Sequence, residues 1–434
     1  MRRRRGPVPA PRILAAVTVG SVFVAACTGG DDATPPPSVV TTTTEVIPPR
    51  VNDDVLKIGA LIPAGNTVVA EFLTVALEDA IDRVNDAGGV LGSDVEVFIE
   101  DEGATAATAS QAIEELIADG VDAIIGPTSS NTAIGALDTA VADGIVTCSA
   151  TATSIALDDY PDEGLFFRSI ATDSLQANAI AQQAQATGAS NVAIVHVDDA
   201  YGRPYADAVE DALSPIAVET IPLAVDDDDL SDDIDDLVAA SPQAAIILGS
   251  GDDIATVLGE MARRDDVTVQ TIIVNDDARR TATRPVISVL PEALRSRVVV
   301  VAPQVELRTA AAVEAPTSTS AEDSDEDAPI VDPPFGPQVT DCVNLLALSA
   351  IQGQSDSPSV IAGQMSSVSD GGDVCSDFQS CTDRLAAGAE IDYAGPLGIT
   401  VLDRNGDPSR AFFDIIRFDD DGSDIFEDTT AVQS

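Results

Sequence analysis

Two clusters of short hydroxyl side chains stand out: Thr128-Ser129-Ser130, and Thr147, Ser149, Thr151 and Thr153. Each follows a short apolar run, Ala123-Ile124-Ile125 in the first case and Gly144-Ile145-Val146 in the second. Such hydroxyls donate and accept hydrogen bonds without carrying charge, so the chemistry they offer is recognition of a small polar ligand. Between the runs, Ala133, Ile134, Leu137 and Val141 recur at helical spacing, which predicts strand, helix, strand. In open α/β sheets ligands sit in the crevice outside the carboxyl ends of the strands. That places Ser129, Ser130, Thr151 and Thr153 on one wall of a cleft. The helix N-terminus beside them is available for an anionic group. One of Thr128, Ser129 and Ser130 is also expected to cap this helix, and capping alone would explain a single hydroxyl loop. Two neighbouring loops of the same chemistry point further, to a ligand site.

Signals for catalysis or metal binding are weak. His196 is the single His and lies in a strand-like apolar run, so a Ser-His-Asp triad or a His-based zinc site would have to rest on that residue. No Gly-x-Ser-x-Gly elbow occurs. Gly249-x-Gly251 continues to Ile254, which breaks a dinucleotide fingerprint. Asp403-Arg404-Asn405-Gly406-Asp407 with Asp414 imitates a calcium loop, but Pro408 occupies the sixth position, where a glycine belongs, so a hairpin turn is expected. The reading is a protein that is not an enzyme and carries neither metal nor cofactor. A hydrolase on an α/β scaffold is the distant alternative, with His196 as its best base.

The elements that must position these residues follow from the rest of the chain. With 434 residues, 45% of them apolar, and a mean hydropathy of +0.15, the chain predicts a globular protein of two domains with appendages. A formal net charge of -51 with a single Lys, Lys57, excludes nucleic acid as a partner. Arg2 to Arg5 followed by the apolar Ile13 to Val24 reads as an export signal, residues 1–26. Val24-Ala25-Ala26-Cys27 resembles a bacterial lipobox, which would make Cys27 the lipidated first residue of the mature chain. An ordinary Ala-x-Ala cleavage is the alternative; the polar tether after Cys27 favours the lipoprotein reading. Residues 27–54, with Pro35-Pro36-Pro37 and Thr41 to Thr44, form that tether, which stands the globular part off the outer face of the membrane.

From Val55 the pattern alternates. Val55–Pro63 and Val95–Asp101 read as strands, and Ala70–Asn85 and Ala106–Gly120 as helices. After Phe166-Phe167-Arg168 it restarts. Helices are expected over Asn178–Thr187, Tyr205–Leu213 and Asp253–Arg264, and strands over Asn191–Val197, Ala244–Leu248, Thr271–Val274 and Val298–Ala302. Residues 310–334, with Glu322-Asp323-Ser324-Asp325-Glu326-Asp327, read as a low-complexity surface insertion. Asp341–Ile351 is expected to be helical, with closing strands at Ile391–Thr400 and Ala411–Phe418. AIIGPTS from Ala123 and AIILGSG from Ala245 occupy corresponding places in two copies of one architecture. Two α/β lobes with parallel sheets and a cleft between them follow.

Of five Cys, Cys27 is assigned to lipid, and the remaining four allow three pairings in an oxidising compartment. Cys375 and Cys381, six residues apart, close most easily. That leaves Cys148 with Cys342, a bridge that would brace the second hydroxyl loop; two buried free thiols are the alternative.

This order of pieces resembles the type I periplasmic binding proteins of the leucine/isoleucine/valine-binding family, including actinobacterial lipoprotein relatives. The residues that carry the resemblance are VLKIGALIP from Val55, NDAGGVLG from Asn85, IIGPTSS from Ile124, CSATATS from Cys148, GLFFRSIATD from Gly164, AIVHVDDAYGR from Ala193 and YAGPLGITVLDRNGDP from Tyr393. The resemblance implies two Rossmann-like lobes joined by a three-strand hinge. Lobe 1 would comprise 55–170 plus 298–390, and lobe 2 171–297 plus 391–434, with crossovers near Arg168, Pro303 and Tyr393. It implies an extracytoplasmic receptor that closes on a small polar solute, an amino acid, amide or short carboxylate, and presents it to an ABC permease. The same fold used as a sensor or partner-binding subunit is the alternative. By resemblance Ser129 and Ser130 would hold a ligand carboxylate. Thr151, Ala152 and Thr153 would share carboxylate and ammonium, Tyr201 would cover the ligand, and Asp276 or Asp277 would neutralise the ammonium. The chain departs from the family in lacking Trp and in placing Gly249-Ser250-Gly251 where relatives carry aromatic residues.

Overall fold

Apolar runs flanked by amphipathic helices build two large sheets, each covered on both faces, and a small two-stranded one beside them. The computed structural model describes residues 52–224, 229–279, 284–304, 335–398 and 401–434. The export signal, Cys27, the tether up to residue 51 and the insertion 310–334 lie outside them.

The first lobe opens with β1 (Lys57–Ile62), α1 (Thr67–Asp86), β2 (Glu96–Asp101), α2 (Ala106–Asp119), β3 (Ala123–Ile125), α3 (Ser130–Ala142), β4 (Val146–Ser149) and β5 (Phe166–Arg168). Its five parallel strands run β2-β1-β3-β4-β5. Gly126 ends β3 at φ +114, where a Cβ would lie 2.9 Å from the Leu61 side chain, so a residue without one turns the chain into the first hydroxyl loop.

The chain then crosses to α4 (Asp173–Ala186), β6 (Asn191–Val197), α5 (Gly202–Leu213), β7 (Ala217–Leu223), α6 (Ser231–Ala240), β8 (Ala244–Leu248), α7 (Gly251–Ala262), β9 (Thr271–Asn275), α8 (Arg284–Val289), α9 (Glu292–Arg295) and β10 (Val298–Pro303). It returns to the first lobe as α10 (Gly336–Gly353), α11 (Pro358–Gln364), β11 (Asp373–Cys375), α12 (Phe378–Ala386) and β12 (Ile391–Tyr393). It ends in the second with β13 (Arg410–Phe418) and β14 (Asp424–Gln433). The second sheet runs β14-β13-β10-β9-β8-β6-β7. Its parallel part β7-β6-β8-β9-β10 repeats the winding of the first sheet, as the AIIGPTS and AIILGSG segments predict. β13 and β14 add an antiparallel edge.

α10 is buried all round, from Asp341 through Ala350, because the first sheet covers one side and α1 and α11 the other. α2 and α3 close the opposite face of that sheet through Ile113, Leu116, Ala136 and Ala140.

Several sequence boundaries move. β10 pairs with β9 and β13, so 298–303 belongs to the second lobe and not to the first, where the segment 298–390 was assigned. β12 pairs with β11, and Ile391 and Tyr393 lie in the first-lobe core, so 391–398 does not belong with the second lobe. The strand expected over Ile391–Thr400 stops at Tyr393, and Gly395 and Gly398 follow at positive φ; residues 399–400 lie outside the described chain. An apolar run tells how deeply a strand is buried but not which sheet takes it. β7 and β14 escaped sequence reading because both lie at sheet edges. β7 carries Pro222 and β14 is half exposed, so neither has a clean apolar period. The helix expected from Asn178 begins at Asp173, capped by the Thr172 side chain, which accepts from Leu175 N.

The crossovers lie where the hinge was expected, after Arg168, after Pro303 and after Tyr393. The third meets the first: Arg168 N donates to Gly406 O at 2.9 Å, and a Cβ on Gly406 would sit 2.3 Å from Phe166 O.

Candidate functional site

The loops after β3 and β4 are sewn together by their own hydroxyls. Ser130 Oγ accepts from Thr153 N and from Ser154 N, both at 3.1 Å. Thr151 Oγ1 donates to Thr128 O at 2.7 Å, and Ser149 Oγ donates to Pro127 O at 2.7 Å while accepting from Ala152 N at 3.0 Å. Ala152 is fully buried. Ser129 is exposed at the lip.

The cap of α3 corrects the sequence reading. Ser129 occupies the N-cap position, yet its side chain makes no capping hydrogen bond. Glu102, one residue beyond β2, holds the two amides just ahead of the helix instead. Its carboxylate is fully buried and accepts from Thr128 N at 2.8 Å, from Ser129 N at 3.3 Å, and from the hydroxyls of Thr128 and Thr132. An internal anion therefore already faces the positive end of α3.

The second half of the site gathers around Asp173, in the first turn of α4 directly after the first crossover. Asp173 N donates to Thr153 O at 2.9 Å, and the hydroxyls of Thr153 and Tyr201 approach its carboxylate as donors. Gln176, one turn along, donates to Asp276 Oδ1 at 2.8 Å and to Val301 O at 2.7 Å. The Tyr201 and Tyr205 rings meet edge to face with centroids 5.9 Å apart. Asp173 Oδ2 and the Tyr205 hydroxyl are buried without a hydrogen-bond partner.

Electrostatically the site is acidic. Burial pushes the Asp173 carboxyl up to about 8, and the neighbouring charges of Asp276 and Asp277 push the same way against the Thr153 hydrogen bond. Tyr201 and Tyr205 are driven well above the usual phenol range by burial and then by the Asp173 charge. The nearby cation, Arg168, is committed elsewhere, to Asp407, Asp158 and Ser154 O.

Of the sequence-predicted residues, Thr153, Tyr201, Asp276 and Asp277 are thus brought around Asp173, while Ser130 and Thr151 are engaged in joining loops. Asp173 and Glu102 were missed as site residues, although each stands just after a strand or crossover, the position at which α/β sites are built. Tyr205 and Gln176 sit on helices and carry no local signal. Cys148 and Cys342 are joined, as are Cys375 and Cys381, the pairing the sequence favoured. His196 is 5% exposed with Nδ1 2.9 Å from Val197 O. Among the described residues, no group of His, Cys, Asp and Glu is arranged to hold a metal, and no helix is long and apolar enough to cross a membrane.

The sequence pattern of a family described as periplasmic binding protein matches residues 56–311. The chain is 26% identical over 336 residues to the chemotactic signal transduction system substrate-binding protein BasB of Halobacterium salinarum, covering 74% of this chain and 76% of that protein. It is 28% identical over 164 residues to the Leu/Ile/Val-binding protein BraC3 of Rhizobium johnstonii, a match spanning 37% of this chain and 44% of the relative's length. In fold it is similar to the leucine-binding protein LivK of Thermotoga maritima, with a TM-score of 0.64 and 18% identity over 86% of this chain and 98% of that one. The isoleucine complex of LivJ from Streptococcus pneumoniae superposes with a TM-score of 0.62 at 16% identity over 88% and 100%. These are binding proteins and not enzymes. With its two sheets wound alike and its polar residues gathered at the strand ends between them, the chain belongs to the periplasmic binding protein family, in the type I architecture.

Proposed function

We propose that the protein is an extracytoplasmic solute-binding lipoprotein, held to the outer face of the cytoplasmic membrane through Cys27. It captures a small polar, amine-bearing solute of the amino-acid class between its lobes and delivers it to the permease of an ABC importer. The observation that carries this reading is the meeting of the two lobes at the buried Asp173, whose amide donates to Thr153 O of the first lobe, with Gln176 one turn along α4 holding Asp276 of the second. In this reading Thr153, Tyr201, Asp276 and Asp277 grip the solute's cationic end. Ser129, Ser130, Thr151 and the Ala152 backbone line the first-lobe wall. Closure occurs about the three crossovers.

Thermal-shift screening of amino acids, amides, amines, urea and short carboxylates tests the reading. A ligand at about 100 times its dissociation constant stabilises the folded state by about 2.7 kcal/mol. Tyr201→Phe and Asp276→Asn should reduce the shift of every solute that gives one. Shifts unchanged in both variants would place the site elsewhere.

A second reading, the same fold as a ligand sensor without transport, is favoured by one observation: the long match to BasB, a substrate-binding protein of a chemotactic system. Solute uptake that persists undiminished after the protein is deleted would select the sensor.

A further inference from the structure

Resting on that reading, we infer that the captured solute is a cation with no carboxylate of its own, an amine, an amino amide or a guanidinium compound, with Glu102 standing where a ligand carboxylate would bind. Three observations combine. First, Thr128 N and Ser129 N, the amides just ahead of α3, together with the Thr128 and Thr132 hydroxyls, converge on Glu102 and seat its carboxylate beside the helix N-terminus. A helix N-terminus offers roughly half an elementary charge. The full negative charge of Glu102 outweighs it, so a second carboxylate arriving there meets net repulsion.

Second, two of the hydroxyls that remain in the two loops are turned to the chain itself, while Ser129 stays exposed at the lip. Ser130 Oγ holds the Thr153 and Ser154 amides, and Thr151 Oγ1 holds Thr128 O. The same bonds connect the Glu102 end of the wall to Asp173 through Thr153.

Third, the opposite end holds Asp173, Asp276 and Asp277, and two buried polar atoms there are left without partners. Asp173 is 2% exposed with Oδ2 unmatched, and Tyr205 is fully buried with its hydroxyl unmatched. A carboxylate oxygen accepts and a phenol oxygen can accept, so both suit a donor-rich cation. Burial holds the Asp173 carboxyl protonated near neutrality, and an entering cation supplies the charge that lets it ionise. A zwitterionic amino acid satisfies this end and is repelled at the other; its amide or the parent amine satisfies both.

The test is equilibrium binding to the full chain by calorimetry. On each of several carbon skeletons four head groups are compared: the amino acid, its amide, the amine lacking the carboxyl, and the acid lacking the amine; agmatine and putrescine complete the set. The expected result is that amide or amine binds at least tenfold more tightly than the parent amino acid, with the desamino acid not bound. Asp173→Asn should weaken amine and amide binding tenfold or more. Glu102→Gln, which keeps one acceptor oxygen and removes the charge, should narrow the gap between amide and amino acid. If that variant fails to fold, the comparison in the unaltered protein decides alone. An amino acid or desamino acid binding as tightly as its amide overturns the inference and leaves the receptor reading standing. Binding by no head group on any skeleton overturns the receptor reading, and the inference falls with it.

Discussion

Arg168 and Asp407, 239 residues apart in the chain, form a two-pronged ion pair inside the protein, with Nε 2.5 Å from Oδ1 and Nη2 2.7 Å from Oδ2. Arg168 closes β5 at the first crossover, and Asp407 lies on the third. The pair therefore fastens two of the hinge connections to each other. Arg168 is fully buried and also bonds Asp158 and Ser154 O, next to the loop that presents Thr153.

Removing one partner leaves a buried guanidinium short of an anion. Breaking a buried pair in this way costs about 3–5 kcal/mol. Asp407→Ala should lower the urea midpoint accordingly, while the Arg168→Met, Asp407→Leu double variant should lose less than the single one. A single variant within about 0.5 kcal/mol of the parent, the range of an ordinary surface change, would show that the two crossovers hold together without it.

Asp173 predicts proton release. With its carboxyl pushed up to about 8 by burial, the empty site carries that proton at pH 7, and a bound cation expels it. Calorimetric titration of a binding amine in two buffers of different ionisation enthalpy should report close to one proton released per ligand at pH 7. The number should fall towards none above pH 9, and it should vanish in Asp173→Asn. Buffer-independent heats at pH 7 would mean that Asp173 is already ionised.

Asp341 predicts the pH dependence of stability. It is fully buried in α10, receives the Tyr393 hydroxyl at 2.7 Å, and leaves Oδ2 without a partner. Burial raises its pKa from 3.8 to about 8. Between these values the folded state holds a proton that the unfolded state has lost. Stability therefore falls as pH rises from about 4 to about 8 and levels above that. Asp341→Asn keeps the acceptor for Tyr393 and removes the titration. Its stability relative to the parent should improve by on the order of 1–3 kcal/mol between pH 5 and pH 8. A difference that does not change with pH would contradict the assignment.

The bridge between Cys148 and Cys342 ties β4 to α10 across 194 residues, one position before Ser149 of the second hydroxyl loop. Thiol titration of the unreduced, denatured protein should find none of these two cysteines free. Cys148→Ala with Cys342→Ala should destabilise by about 2–5 kcal/mol and weaken binding by loosening Thr153. Unchanged affinity in the folded double variant would separate the bridge from the site.

The alternation of strand and helix was legible because buried parallel strands must be apolar throughout, and Val55–Pro63, Asn191–Val197 and Val298–Ala302 read as such. Loop chemistry at a strand end exposed Thr153, whereas Tyr201, Asp276 and Asp277 were implied by the family resemblance and not by any local signal. The sheet that receives β10 was not legible. Val298–Pro303 is as apolar as β1 and would suit either core, and its pairing with β9 and β13 is a matter of crossover, not of composition.

The sequence alone therefore determined the α/β class, the twofold repeat, the favoured cysteine pairing and the residue types available to a ligand, because each follows from local periodicity, spacing or count. Tertiary structure decided what those residues do. Glu102 reaches the start of α3 from another strand, Gln176 finds Asp276 a hundred residues on, and Arg168 finds Asp407 across the hinge. These contacts join segments tens to hundreds of residues apart, and their energies depend on burial and separation, quantities that a linear order of residues does not contain.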